Sequence, residues 1–257
     1  MPTGSRGPRL IAIEGPSGSG KSSLVAAAVA ALGWVPLAEA YDRIDPRPDL
    51  RVPTPSALAR TERTLLAEEG RRWRAARALR DRGATVIADT GFLGPLTYTR
   101  GLVALGRAPE RLLGELVGRA RAMAERGEWG LPEAIVYLTT RPATRRGRAS
   151  RDPARHPARL RERHEEVGAV EQQFYRQLGR WYPARVRFLR AEEPAPLLAA
   201  RLPACLRRVP PAGWGPAAAL RVLVGLAPPA AGTGAVAGRR RPATVKKSAL
   251  PPRGPSR

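Results

Sequence analysis

Between Gly15 and Ser22 the chain reads Gly-Pro-Ser-Gly-Ser-Gly-Lys-Ser, and no other stretch restricts the fold so strongly. The pattern G-x-x-x-x-G-K-[ST] carries meaning in one setting, a turn that leaves a strand and opens a helix. Both flanks are present. Leu10-Ile11-Ala12-Ile13 is a short β-branched apolar run that reads as a buried strand. Ser22 to Leu32 is rich in Ala, Leu and Val, contains no Gly or Pro, and reads as a helix.

A chain segment built this way suits a triphosphate. Glycines let the main chain wrap closely and adopt positive φ, so that several backbone N–H groups converge on one anion. The new helix adds its positive end and its free N–H groups. The candidate nucleotide-binding residues are therefore Gly15, Pro16, Ser17, Gly18, Ser19, Gly20, Lys21, Ser22 and Ser23. Lys21 is expected on the β- and γ-phosphates of ATP, and the Ser22 hydroxyl on Mg²⁺. Composition points the same way. Of 45 basic residues only Lys21, Lys246 and Lys247 are lysine. A chain that writes nearly every positive charge as Arg still places a compact ammonium inside the loop, where a planar guanidinium fits poorly.

Downstream, strand and helix patterns alternate. Trp34 to Ala38 reads as a second strand ending at Glu39, and a helix follows from about Ser56 to Arg82, closed by Gly83. Thr85 to Ala88 is a third strand ending at Asp89. Helical material covers Leu93 to Arg126, Ala134 to Leu138 is a fourth strand, and a helical stripe runs from Leu160 to Leu178. Val186 to Leu189 is a fifth strand, and Pro194 to Arg208 a last helix. Five such alternations imply an α/β fold around a parallel sheet. Ligands of such sheets sit beyond the carboxyl ends of the strands, where the loop, Glu39 and Asp89 converge.

From Val209 to Arg257 the character changes. The segment has no acidic residue, carries eight of the basic ones, and is dominated by Pro, Gly and Ala. Such a composition is expected to form a disordered tail, leaving residues 1–208 as the folded domain. Its runs Arg239-Arg240-Arg241 and Lys246-Lys247 suggest weak nucleic-acid contact. The net charge of +23 suits anionic ligands generally. A single cysteine, Cys205, allows no intrachain disulfide and fits a cytoplasmic setting. No apolar run is long enough to span a membrane.

Four groups carry candidate chemistry. Asp89 is a metal partner or catalytic carboxylate. Glu39 is a base toward a substrate hydroxyl or a sugar-hydroxyl ligand. The segment 139–157 holds Arg141, Arg145, Arg146, Arg148, Arg151 and Arg155, and reads as a lid whose guanidiniums would match a transferring phosphoryl group. Arg71, Arg72 and Arg74 on the long helix are candidates for gripping an acceptor phosphate.

The order of these parts resembles the P-loop nucleoside monophosphate kinases, thymidylate kinases most closely. The resemblance runs over about residues 8 to 208 and implies a three-layer P-loop fold with a five-stranded parallel sheet. In that family a strand like Val86–Asp89 ends in Asp-Arg-Tyr/Phe. Asp89, Leu96 and Tyr98 fall in step with the pattern, while Thr90 and Gly91 stand where the Arg and the aromatic are expected. Tyr98 is thereby a substrate-binding candidate. Tyr137, Leu138 and Pro142, followed by Arg148 and Arg151, are similar to the passage from strand to lid, which gives those two arginines a catalytic role. Glu39 is similar to the base of deoxynucleoside kinases.

The resemblance implies transfer of the γ-phosphoryl of ATP, with Mg²⁺, to a nucleoside monophosphate, dTMP first. A kinase of a deoxynucleoside or other small hydroxyl compound is the nearest alternative. An NTPase or switch associated with nucleic acid is the third. The partners expected are a small-molecule phosphate acceptor, nucleic acid at the tail, and a second copy of the chain.

Overall fold

The computed structural model describes residues 7–45, 54–150, 158–210 and 213–227. Five parallel strands form one sheet: β1 (Leu10–Glu14), β2 (Val35–Leu37), β3 (Val86–Asp89), β4 (Ala134–Thr139) and β5 (Val186–Arg190). Their order is β2-β3-β1-β4-β5, with β1 at the centre and buried along its whole length. Alternation along β1 feeds two cores. Leu10 and Ala12 join one apolar cluster, Ile11 and Ile13 the other.

The Ile11 side is covered by α1 (Lys21–Leu32) and α7 (Ala195–Leu206), through residues such as Leu24, Ala28, Leu198 and Leu202. The Leu10 side is covered by α2 (Pro55–Asp81), α3 (Gly94–Ala104), α4 (Glu110–Glu125), α6 (Ala158–Trp181) and α8 (Pro216–Leu226). This is the three-layer α/β architecture the alternation implied. One further helix, α5 (Pro142–Ser150), follows β4 within the segment read as a lid.

The long helix α2 is unbroken at Gly70, for a packing reason. A Cβ at Gly70 would stand 2.3 Å from the Met123 Cε of α4 and 3.3 Å from the Glu128 carbonyl, so a larger residue there would make Met123 swing aside and crowd the backbone after α4. Thr54 starts α2 by accepting from the Ala57 N–H at 3.2 Å, with Pro55 next in line.

The tail expected from Val209 onward begins too early. Val209 is buried, and α8 packs Ala219, Val222, Leu223 and Leu226 into the core shared with α4. Those four positions follow the i, i+3, i+4, i+7 spacing of a helix face, which the Pro, Gly and Ala content of the surrounding segment obscured. Burying two leucines and a valine contributes about 5–8 kcal/mol before chain ordering is subtracted. A chain ending at Arg208 is therefore expected to melt about 5–15 °C below one ending at Ala227. Equal melting temperatures in a calorimetric scan would show that α8 adds nothing to the fold. The basic runs at 239–241 and 246–247, and the nucleic-acid contact expected of them, lie outside the described residues.

Candidate active site

At the carboxyl edge of the sheet lies a cavity of about 650 Å³. One end is built by the turn between β1 and α1. Gly15, Gly18 and Gly20 have φ of 141°, 75° and 97°. A Cβ on Gly15 would stand 2.8 Å from the Leu138 carbonyl, and one on Gly18 3.0 Å from the Arg145 carbonyl. The cradle is thus shaped by backbone that a side chain would fill, as close wrapping of phosphates requires. Lys21 donates to the carbonyls of Gly15 (2.9 Å) and Pro16 (3.4 Å), folded over the turn it serves. Ser17, Lys21, Ser22 and Ser23 all line the cavity.

Helix α5 closes over this end. Arg148 donates to the Ser19 carbonyl at 2.8 Å and to the Ala191 carbonyl at 2.9 Å, tying the lid segment to both the phosphate turn and the exit of β5. Arg148 also lines the cavity. Arg151 and Arg155 lie outside the described residues.

The other end is built from β2, β3 and the faces of α2, α3 and α6. Glu39 and Tyr98 line it, as their positions in the sequence suggested. Asp89 sits beside the cavity without lining it. Its register partner is Ile13, one residue before Glu14, and its Oδ1 is buried with no hydrogen-bond partner. That orphaned oxygen and the Ser22 hydroxyl are the groups that suit Mg²⁺ near the phosphates.

Thr90, directly after Asp89, has φ of 59°. A β-branched residue in the left-handed region costs roughly 1–3 kcal/mol, so the surrounding structure must hold it there. It does so from two sides. Arg72 is wholly buried and donates to the carbonyls of Asp89 (3.0 Å) and Thr90 (3.2 Å). The Gly91 N–H donates to Glu14 Oε1 at 2.9 Å. A Cβ at position 91 would meet that same oxygen at 2.3 Å, which explains why no aromatic follows Thr90 here.

The arginines expected to grip an acceptor phosphate are elsewhere. The face that α2 turns to the cavity is Glu62, Leu65 and Glu69, spaced i, i+3, i+7. At about 100° per residue, Arg71 and Arg74 fall on the far side. Arg71 pairs with Glu68 at 2.5 Å and is 57% exposed, and Arg74 is exposed. Arg72 turns inward but is spent on Glu69 (2.5 Å) and the two carbonyls.

Sequence reasoning missed the carboxylates. Glu14, Glu62, Glu69 and Glu171 all line the cavity. The heptad spacing of Glu62 and Glu69 within an otherwise apolar helix face was the readable signal. So was Val167, Glu171, Tyr175, an i, i+4, i+8 stripe of α6. Burial pushes the Glu69 carboxyl up to about 8 against the pull of Arg72. Burial, reinforced by Glu14, raises Glu171 to about 7, while Lys21 and a hydrogen bond from the Thr97 hydroxyl (3.1 Å) oppose it. Burial likewise raises Glu14. Among the described residues no group of three or more His, Cys, Asp or Glu is placed to hold a metal by itself.

No family model matches the sequence, and no curated protein matches it. Solved structures of similar fold include those of deoxyadenosine kinase from M. mycoides. With bound dATP, that enzyme aligns at 18% identity and a TM-score of 0.58, over 75% of this chain and 97% of its own. With the products dCMP and a flexible dCDP bound, the values are 17%, 0.56, 75% and 95%. With bound dCTP they are 18%, 0.51, 76% and 98%. At this identity the likeness establishes the fold alone, a three-layer α/β fold around a five-stranded parallel sheet. No helix among the described residues is long and apolar enough to cross a membrane.

Proposed function

We propose that the protein is an ATP-dependent phosphotransferase whose acceptor is a small hydroxyl compound bearing no phosphate, a nucleoside or an alcohol of similar size. One observation carries the reading. The cavity is lined by Glu14, Glu39, Glu62, Glu69 and Glu171, and among the described residues its only basic side chains are Lys21 of the glycine turn and Arg148 of α5. A monophosphate would bring about two negative charges against those carboxylates without a further guanidinium to meet them. The dTMP reading loses its clamp for that reason, and because Thr90 stands where an arginine would reach the acceptor. The fold shared with deoxyadenosine kinases supports the nucleoside class.

The turn from Gly15 to Ser22 and Lys21 hold the triphosphate. Arg148, on α5, is placed to meet charge that develops on the transferring group. Ser22 and Asp89 would hold Mg²⁺, which supplies charge neutralisation at the β- and γ-phosphates. Glu39 orients the acceptor hydroxyl and takes its proton as the oxygen bonds to the γ-phosphorus, while the bond to the β–γ bridging oxygen breaks and ADP leaves.

Labelled ATP offered with deoxynucleosides, small alcohols, dTMP or water alone tests the assignment directly. Label is expected on an unphosphorylated acceptor. Faster transfer to dTMP, or release as free phosphate alone, would overturn it. In the same assay Glu39→Gln is expected to lower kcat by about 10²–10⁴ with the KM for ATP little changed. A variant as fast as the parent would remove Glu39 from the chemistry.

A further inference from the structure

We infer that the acceptor carries a protonated amine or similar organic cation besides its reacting hydroxyl, and that Glu171 receives it. The inference rests on the kinase reading above and names the substrate class of the same site.

The wall of the cavity formed by α6 and β4 has the chemistry of an amine site. Glu171 lines it and is held by the Thr97 hydroxyl at 3.1 Å, which leaves acceptor capacity toward the cavity. Among the described residues the groups that act on its charge are Glu14, Lys21 and the Thr97 hydroxyl, and no guanidinium is one of them. Beside it stand two aromatic rings, Tyr137 and Tyr175, with centroids 4.9 Å apart. Both line the cavity and both are almost fully buried. The Tyr137 hydroxyl has no hydrogen-bond partner, although a buried hydroxyl ordinarily has one. Burial raises the pKa of that hydroxyl, Glu171 and Glu14 add to the rise, and Arg145 and Arg176 oppose it, so both carboxylates lie within its reach.

A carboxylate, an orphaned hydroxyl and two ring faces suit an organic cation in three ways at once: charge, hydrogen bonding and cation–π attraction. A metal ion suits them less well. Burial raises both tyrosine pKa values, so the phenols stay protonated and bind metal poorly, yet accept hydrogen bonds from an ammonium. A neutral acceptor would leave Glu171 with only the field of Lys21 to favour its charge, in a cavity already holding Glu14, Glu39, Glu62 and Glu69. Lys21 also acts on Glu171, so the amine takes the side of the carboxylate turned away from the phosphate turn, where the two ammonium groups repel each other least. The amine takes no part in bond making. The hydroxyl oxygen still bonds the γ-phosphorus, ADP still leaves, and the hydroxyl proton still goes to Glu39.

Matched acceptors test this: glucosamine against N-acetylglucosamine, and 3′-amino-3′-deoxythymidine against thymidine, each with labelled ATP at pH 7. The amine of a pair is expected to show kcat/KM about tenfold or more above its neutral partner, the scale of one charge-assisted contact. Glu171→Gln is expected to bring that ratio near one, and Glu171→Asp to keep part of it. The Gln variant should melt no lower than wild type at pH 8, because burial already disfavours the charge it removes. Equal rates within each pair, or a ratio unmoved by Glu171→Gln, would overturn the inference and leave the kinase reading standing. Absence of labelled product from every acceptor, with ATP turnover no different from that of Lys21→Ala, would overturn the kinase reading itself and the inference with it.

Discussion

Lys21→Ala is expected to lower kcat/KM for phosphoryl transfer by about 10³-fold or more, roughly 4 kcal/mol of transition-state stabilisation. The ammonium is the one cation carried by the phosphate turn itself, and the negative charge it meets grows as the γ-phosphoryl departs. Among the described residues it donates to the carbonyls of Gly15 and Pro16, and the buried Glu14 and Glu171 lie within its field without needing it for their place in the fold. The fold should therefore survive, and the circular dichroism melt of the variant should overlay that of the parent. Lys21→Arg keeps the charge and still fails, because a planar fork cannot enter a turn whose glycines leave so little room. Transfer within tenfold of wild type in the alanine variant would remove the phosphate turn from the mechanism. The arginine variant separates shape from charge: if it retains full activity, charge alone suffices and the argument from composition loses its force.

The second large effect is on stability. Arg72→Leu is expected to destabilise the fold by about 3–5 kcal/mol, a fall in melting temperature of about 10 °C or more. Arg72 is completely buried, and its guanidinium pairs with an equally buried Glu69 at 2.5 Å. Removing it strands a carboxylate that burial already pushes toward neutrality. Stability of the single variant should fall further as pH rises, since Glu69 without Arg72 can enter the folded state only protonated. Arg72→Met with Glu69→Met removes both partners, and much of the lost stability should return. Function should not return with it. Arg72 also holds the carbonyls on either side of the left-handed Thr90, and without those bonds the turn relaxes into the acceptor end of the cavity. The double variant is therefore expected to melt near wild type with a raised KM for the acceptor and an unchanged KM for ATP. A double variant with normal acceptor kinetics would limit Arg72 to a structural role.

These two residues show how unevenly the site could be read in advance. Lys21 is legible because a phosphate turn is local. Its glycines, its flanking strand and its helix lie within about 24 residues, and each local preference agrees with the next. The sheet is legible for a similar reason, since five apolar runs separated by helical stretches admit few arrangements. Glu39 lines the cavity because it follows β2 at the carboxyl edge that the parallel strands share, and Tyr98 lines it from α3, the helix that follows β3. Arg71 and Arg74 did not, because a basic residue on a helix announces its charge and not the direction it faces. Helix α8 was missed because composition averaged over the whole segment from Val209 hid one short amphipathic stripe.

The sequence by itself determined that this chain passes from strand to helix through a glycine-rich turn at the edge of a five-stranded parallel sheet, since every signal for it is contiguous. Only the tertiary structure decided what the rest of the cavity asks of an acceptor. Glu14, Glu62, Glu69 and Glu171 come from β1, α2 and α6, and nothing in their local sequence marks them as neighbours. Their meaning lies in shared burial, which raises the cost of each charge and makes the counter-charge of the ligand the deciding term. Arg72 illustrates the same point in reverse: a guanidinium that reads as a phosphate clamp in the chain becomes, once buried against Glu69 and two carbonyls, part of the framework that holds Thr90 in place.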